Sequence, residues 1–264
     1  MESIDLSGRN ALIVGVANEN SLAAAVARRL RKAGANVALT YHSEKTWRYL
    51  RPFAEKIGVD FAVECDVGDR DQVKDLFTQI RSRWHDIDIL FHTVGAVPQP
   101  DIGGPLIDCS PYGFSEGMRV SCYSFIQLAH DAAPLMRRGG SIQTLTFFGA
   151  ERVVDHYNVM GPVKAALQSA VQYLAHELGP RGIRVNAISA GPVRTRAASG
   201  LTNFQDLLSE VRQKSPLRRT VTANEVAGAA LFLASSMASG VTGEILHVDS
   251  GHHIEGMVFE NDAA

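Results

Sequence analysis

Tyr157 and Lys164 stand seven positions apart in the segment Tyr157-Asn158-Val159-Met160-Gly161-Pro162-Val163-Lys164. A phenol can donate a hydrogen bond to an oxygen on which negative charge develops, and a nearby ammonium makes it a better acid by stabilising its phenolate. The pair suits hydride transfer to a carbonyl or to a conjugated thioester. A lysine one helical turn after the tyrosine would be the simplest arrangement, but that position is Gly161. Two turns of helix return to nearly the same face with a rise of roughly 10 Å. Tyr157 would then sit at the helix mouth while Lys164 reaches toward the ribose of a dinucleotide. Taken alone, the spacing also fits two unrelated residues on an amphipathic helix.

A second constellation lies near the start of the chain, where Gly15-Val16-Ala17-Asn18-Glu19-Asn20-Ser21-Leu22-Ala23 follows an apolar run. A turn that binds pyrophosphate must let it approach the backbone and then offer it a helix N-terminus. Gly15 gives the exit from the strand, Ser21 the cap and a phosphate hydrogen bond, Leu22 the first helical position, and Ala23 close packing. Only Gly15 matches the glycine-rich fingerprint, so an ordinary N-cap is the competing reading. The second strand ends at His42, where an adenosine ribose would be read. Neither an acid for both ribose hydroxyls nor an arginine for a 2′-phosphate stands there, and Lys45 and Arg48 suit a solvated helix face. NADH is favoured over NADPH. Asp66, followed by Val67, is placed to accept from an adenine amino group, and Thr93-Val94-Gly95 ends the fourth strand where a nicotinamide ring would need room.

These residues require alternating elements to position them. Short, nearly all-apolar runs predict strands at Asn10–Val14, Asn36–Thr40, Asp60–Glu64, Asp88–Val94, Ser141–Phe147, Arg184–Ala190 and Glu244–Val248. Helical spacing predicts helices at Ser21–Ala33, Glu44–Lys56, Arg70–Trp84, about Tyr112–Met136, about Tyr157–Leu178, Phe204–Gln213 and Ala223–Ser235, with a Gly- and Pro-rich loop from Gly95 to about Pro111. Strands that alternate with helices and are apolar on both faces mean an α/β fold, a single doubly wound parallel sheet of Rossmann type. No linker or repeat interrupts it, so residues 1–264 read as one dinucleotide-binding catalytic domain.

Composition narrows the class. With 26 basic and 28 acidic residues mixed along the chain and no basic stripe, nucleic acid is not an expected partner. No uncharged apolar run reaches the roughly 18 residues a membrane span needs, and residues 1–9 lack the apolar core of a signal peptide. An odd set of three cysteines, Cys65, Cys109 and Cys122, suits a reducing cytoplasm. The adjacent His252 and His253 are poorly placed for joint chelation, and no metal is expected.

The Gly15–Ala23 turn and the Tyr-x6-Lys spacing closely resemble the bacterial NADH-dependent enoyl-acyl-carrier-protein reductases, a divergent branch of the short-chain dehydrogenases. The resemblance spans nearly the whole chain. Its most specific stretches are Gly149-Ala150-Glu151-Arg152, Tyr157–Gly161, Arg184–Pro192, Thr195 with Ala197–Gly200, and Arg218–Thr222; Ser121–Phe125 resembles the family's central helix. It implies reduction of a trans-2-enoyl thioester, with Tyr157 on the enolate oxygen and Lys164 on the cofactor ribose. It further implies that Ala190, Gly191, Pro192, Val193 and Thr195 wrap the nicotinamide, and that a segment at about 195–215 covers the acyl pocket with Ala197, Ala198, Leu201 and Phe204 inward. Ala96, Val97, Phe147 and Met160 would complete that pocket. Acyl carrier protein as partner, a homotetramer with a contact around Ile245–Met257, and a cytoplasmic location follow from the same kinship.

Four positions depart from the family's pattern. Phe147 replaces a tyrosine often found ten residues before the reactive one, Ala96 replaces an aromatic, and Pro162-Val163 is less usual before the lysine. The first two bear on acyl preference. Two alternatives stay open here. One is a ketone or alcohol short-chain dehydrogenase using NAD(P), because Thr144 stands about where that group carries a catalytic serine. The other is a dinucleotide-binding sensor without turnover, against which both Tyr157 and Lys164 speak.

Overall fold

The computed structural model describes residues 4–194 and 204–256. Within them β1 (Asn10–Val14), β2 (Asn36–Tyr41), β3 (Phe61–Glu64), β4 (Ile89–His92), β5 (Gly140–Thr146), β6 (Ile183–Ala190) and β7 (Ile245–Val248) form one parallel sheet in the order β3-β2-β1-β4-β5-β6-β7. The helices are α1 (Leu22–Lys32), α2 (Glu44–Lys56), α3 (Arg70–Trp84), α4 (Pro111–Met118), α5 (Ser124–Ala132), α6 (Met160–Leu178), α7 (Phe204–Lys214) and α8 (Ala223–Ala234). The doubly wound α/β reading is borne out. Among the described residues no helix is long and apolar enough to cross a membrane.

Side chains on a strand alternate between faces, and β1 shows why its run is apolar throughout. Leu12 and Val14 enter a core shared with α3, α5 and α6, through Leu76, Phe125 and Leu167 among others. Ala11 and Ile13 enter a second core with α1, α2 and α8, through Leu30, Phe53 and Val226. Both faces are covered, so neither tolerates polar residues. Beyond the carboxyl ends of β1 and β4 the winding direction reverses, which opens the crevice where such folds bind ligands.

Most strand and helix limits fall within one or two residues of the sequence reading, and two places differ more. The helix expected over Tyr112–Met136 is broken into α4, a π-helical turn at Arg119–Tyr123, α5 and a 3-10 turn at Ala133–Leu135. A 3.6-residue periodicity carries no signal for that insertion. The helix expected from Tyr157 begins only at Met160, because His156 (φ +62°) and Asn158 (φ +47°) adopt left-handed backbone that a right-handed helix excludes.

Candidate active site

The turn after β1 is crowded. Gly15 has φ +90°, and a Cβ there would stand 2.7 Å from Val94 Cγ2 and 3.2 Å from Thr93 Oγ1. Its amide donates to Thr40 Oγ1 at 3.0 Å, and Thr93 Oγ1 donates to Val14 O at 2.7 Å, which locks the ends of β1, β2 and β4 together. Ser21 caps α1: its Oγ accepts from the Ala24 amide and donates to Asn18 O. The first amides of a helix have no intrahelical acceptor. Those of Leu22 and Ala23, both on the cleft wall, therefore remain available to an anion at the positive end of α1.

Tyr157 stands opposite, three residues ahead of α6. Its ring packs edge-on against Phe147, with centroids 4.9 Å apart, and lies over Gly149, where a methyl group would collide with it. Burial pushes the Tyr157 phenol above its ordinary range, so it is held protonated as a donor. Lys164 lies in the second turn of α6, with its ammonium 3.0 Å from Leu145 O. Burial lowers its pKa to about 8. The spacing of seven now has a different cause from the two-turn helix expected. Tyr157 sits outside the helix, and Gly161, the position one turn on, is pressed so close to Gly149 that a Cβ would be 3.2 Å from its carbonyl oxygen.

Both residues face one cavity of about 320 Å³. Of the expected residues, Gly15, Ser21, Leu22, Thr93, Val94, Gly95, Ala96, Val97, Phe147, Tyr157, Met160, Lys164, Ala190, Gly191, Pro192, Val193 and Phe204 line it. His42, Asp66 and Val67 do not. His42 Nδ1 and Asp66 Oδ1 lie 4.0 Å apart beyond the ends of β2 and β3, while the Val67 side chain is buried in the core, which leaves only its backbone for a ligand. Thr195, Ala197, Ala198 and Leu201 lie outside the described residues. The cavity also takes in Ala17, Asn18, Ile102, Leu145, Thr146 and Leu207. Asn18 belongs to the turn already singled out. Ile102 comes from an irregular loop, where periodicity gives no facing information.

Among the described residues four hydroxyls line the cleft, and three have protein partners: Ser21 with Asn18, Thr93 with Val14, and Thr146 with Gln168. Among the described residues the Tyr157 hydroxyl has none. Thr144 is not on the wall at all. Ser124 donates to Val120 O at 2.6 Å and so accepts from His92 Nε2 at 2.9 Å, which leaves His92 Nδ1 to accept the Thr144 proton at 2.9 Å. His92 is fully buried and neutral, its pKa pushed down to about 3 by burial and secondarily by the Lys164 charge. The π-helical turn has a role here as well. Ser121 Oγ accepts from the Ala96 amide at 2.9 Å and donates to the Ala96 carbonyl at 3.0 Å, which fixes the cleft wall after β4.

The residues fit a dinucleotide. The Gly15 turn brings backbone to the cavity, the start of α1 supplies free amides, and Gly95 lies on the wall beside Lys164, where even a Cβ would make only ordinary contact, 3.6 Å from Nζ. Arg48 is engaged with Glu44 at 3.8 Å, on the exposed face expected of it.

Comparison with known proteins gives the chain's kinship. Residues 15–253 match the family model described as enoyl-(acyl carrier protein) reductase. The chain is 44% identical over 252 residues to enoyl-(acyl-carrier-protein) reductase (NADH) 1 of Rhizobium meliloti (strain 1021), covering 96% of this chain and 93% of that protein. Among solved structures, the enoyl-(acyl-carrier-protein) reductase of Anaplasma phagocytophilum in complex with NAD superposes with a TM-score of 0.92 at 47% identity, covering 96% of each chain. The Aquifex aeolicus enoyl-(acyl-carrier-protein) reductase (NADH) gives 0.93 at 42% identity, covering 96% of this chain and 99% of that one.

Proposed function

Because the chain belongs to the enoyl-(acyl carrier protein) reductase family, we propose that the cleft between the Gly15 turn and Tyr157 is its active site. The protein is an NADH-dependent oxidoreductase that reduces the carbon–carbon double bond of enoyl thioesters in fatty acid biosynthesis. Ser21 and the free amides of α1 would hold the pyrophosphate, Lys164 the nicotinamide ribose, and residues 190–193 the nicotinamide, with Asp66 and His42 toward the adenosine. NADH, when bound, supplies the hydride that the β-carbon of the substrate accepts. As that bond forms, the electron pair of the double bond moves toward the thioester oxygen. Tyr157 donates its hydrogen bond there, where charge is greatest in the transition state. Lys164 adds positive potential that favours the same charge. The apolar wall of Val97, Ile102, Phe147, Met160 and Phe204 excludes water and accepts the acyl chain.

The observation that carries this reading is that Tyr157, whose hydroxyl has no hydrogen-bond partner among the described residues, lines the same cavity as the buried Lys164. Thr144 speaks against ketone or alcohol reduction, since its proton is directed at His92 and the residue is fully buried. The test follows cofactor absorbance with purified protein, NADH and crotonyl or longer enoyl thioesters. Oxidation with enoyl but not keto substrates is expected. The reverse preference, or cofactor binding without turnover, would overturn it.

The finer features belong to the same proposal. Residues 1–264 act as one catalytic domain, and α7 covers the acyl pocket with Phe204 and Leu207 on its wall; the rest of the expected covering segment, 195–203, lies outside the described residues. The thioester arrives on acyl carrier protein, and the protein works in the cytoplasm as a homotetramer. Light scattering on the purified chain tests the assembly.

A further inference from the structure

Asn158 stands in one of the most family-specific stretches and has no part in the chemistry above. Its backbone is left-handed at φ +47°, a conformation that glycine and asparagine adopt most readily. Glycine would satisfy that requirement alone. The carboxamide does something more: Nδ2 donates to Asp101 O at 3.2 Å and to Gly103 O at 2.8 Å. Those carbonyls flank Ile102, which lines the active-site cavity. The Asn158 carbonyl accepts from the Gly161 amide at 3.0 Å, at the start of the helix that carries Lys164. Its Oδ1 is buried without a partner among the described residues, so the side chain is held by its donors, and hence by the loop.

We propose that Asn158 is a positioning residue that ties the Ile102 wall of the acyl pocket to Tyr157, its neighbour in sequence, and thereby sets the register of a long acyl chain against the reactive hydroxyl. The proposal rests on the reading of the cleft given above. The loop has a second anchor, because the Asp101 carboxylate accepts from the amide and the hydroxyl of Ser110 at 2.7 and 3.0 Å. Losing the Asn158 clamp therefore re-aims Ile102 without releasing the loop from α4. A dodecenoyl chain has far more apolar surface to lay against this wall than a crotonyl chain, so it depends more on how Ile102 is aimed.

Asn158→Gly keeps the backbone and removes the clamp. For that variant, kcat/KM with a dodecenoyl thioester should fall on the order of ten- to hundredfold. With a crotonyl thioester the loss should be below about threefold, too small for a misplaced reactive group. NADH affinity should be unchanged, and hydrogen exchange in residues 99–104 should quicken. Asn158→Asp, which keeps the shape but turns a carboxylate toward two carbonyls, should show the same bias if the glycine variant folds poorly. Equal losses with both thioesters, tracking melting temperature, would mean a merely structural role and overturn the proposal, as would unchanged exchange at 99–104. Failure of the unmodified chain to oxidise NADH with either thioester sinks the reading of the cleft instead; the exchange experiment judges the clamp independently.

Discussion

The rings of Phe147 and Tyr157 meet edge-on, their centroids 4.9 Å apart and their planes inclined at 62°. Such a contact fixes the orientation of both rings while offering one hydroxyl rather than two. Tyr157 must then supply the donor to the developing oxyanion without help from its neighbour. Restoring a phenol by Phe147→Tyr should change turnover by less than about threefold, well under the hundredfold scale of a required oxyanion donor. Steady-state kinetics with crotonyl thioester measures it, and a large gain would show that two hydroxyls share the work.

Gly149 permits the placement of Tyr157. It has no positive φ to require glycine, so the need is steric, with the tyrosine ring lying where a methyl would be. Gly149→Ala should displace the ring and lower kcat by ten- to hundredfold, the order expected when a reactive group moves by about an ångström. NADH affinity, read by fluorescence titration, should change far less than kcat.

Lys164 carries a pH signature. Burial lowers its pKa from 10.5 to about 8 in the folded chain. Below about pH 8 the ammonium is charged and available to the ribose; as pH rises through 8 the free protein loses it, and NADH affinity should weaken. Stability moves the other way. The unfolded chain keeps its proton up to the ordinary lysine range, so folding becomes more favourable as pH climbs from about 8 toward 10.5. Lys164→Met should bind NADH poorly and lack that gain in melting temperature. A pH-independent NADH affinity across this window would count against the ribose role.

Thr144→Val separates structure from chemistry. It leaves His92 Nδ1 buried without its donor, a loss of about 1–3 kcal/mol in stability. Enoyl turnover should stay within about threefold, since nothing made only in the transition state is removed. A collapse of activity at unchanged fold would restore the ketone-reductase alternative. In the unmodified chain, His92 must also charge on unfolding below its ordinary pKa of 6.5, so stability should fall as pH drops from there toward 3.

How far the sequence carries depends on what kind of signal each residue emits. β1 was legible because burial on both faces demands an unbroken apolar run, and α1 because Ser21 and the basic last turn mark its ends. The pairing of Tyr157 with Lys164 is legible too, although two helical turns do not account for it. A left-handed Asn158 outside the helix, rather than two helical turns, produces the spacing. The π-helical turn at Ser121 and the inward face of Ile102 were not legible, because both depend on contacts with a distant loop rather than on local periodicity. The engagement of Thr144 is equally hidden from local periodicity, since its partner His92 stands beside it on the neighbouring strand β4.

The most direct measurement compares Tyr157→Phe with the unmodified protein in two assays, NADH titration and enoyl-thioester turnover. A hydroxyl that acts only on the developing oxyanion should cost a hundredfold or more in kcat, on the order seen for such donors, with NADH affinity within about twofold. Turnover that survives the loss of this oxygen would contradict the assignment of Tyr157 as the donor.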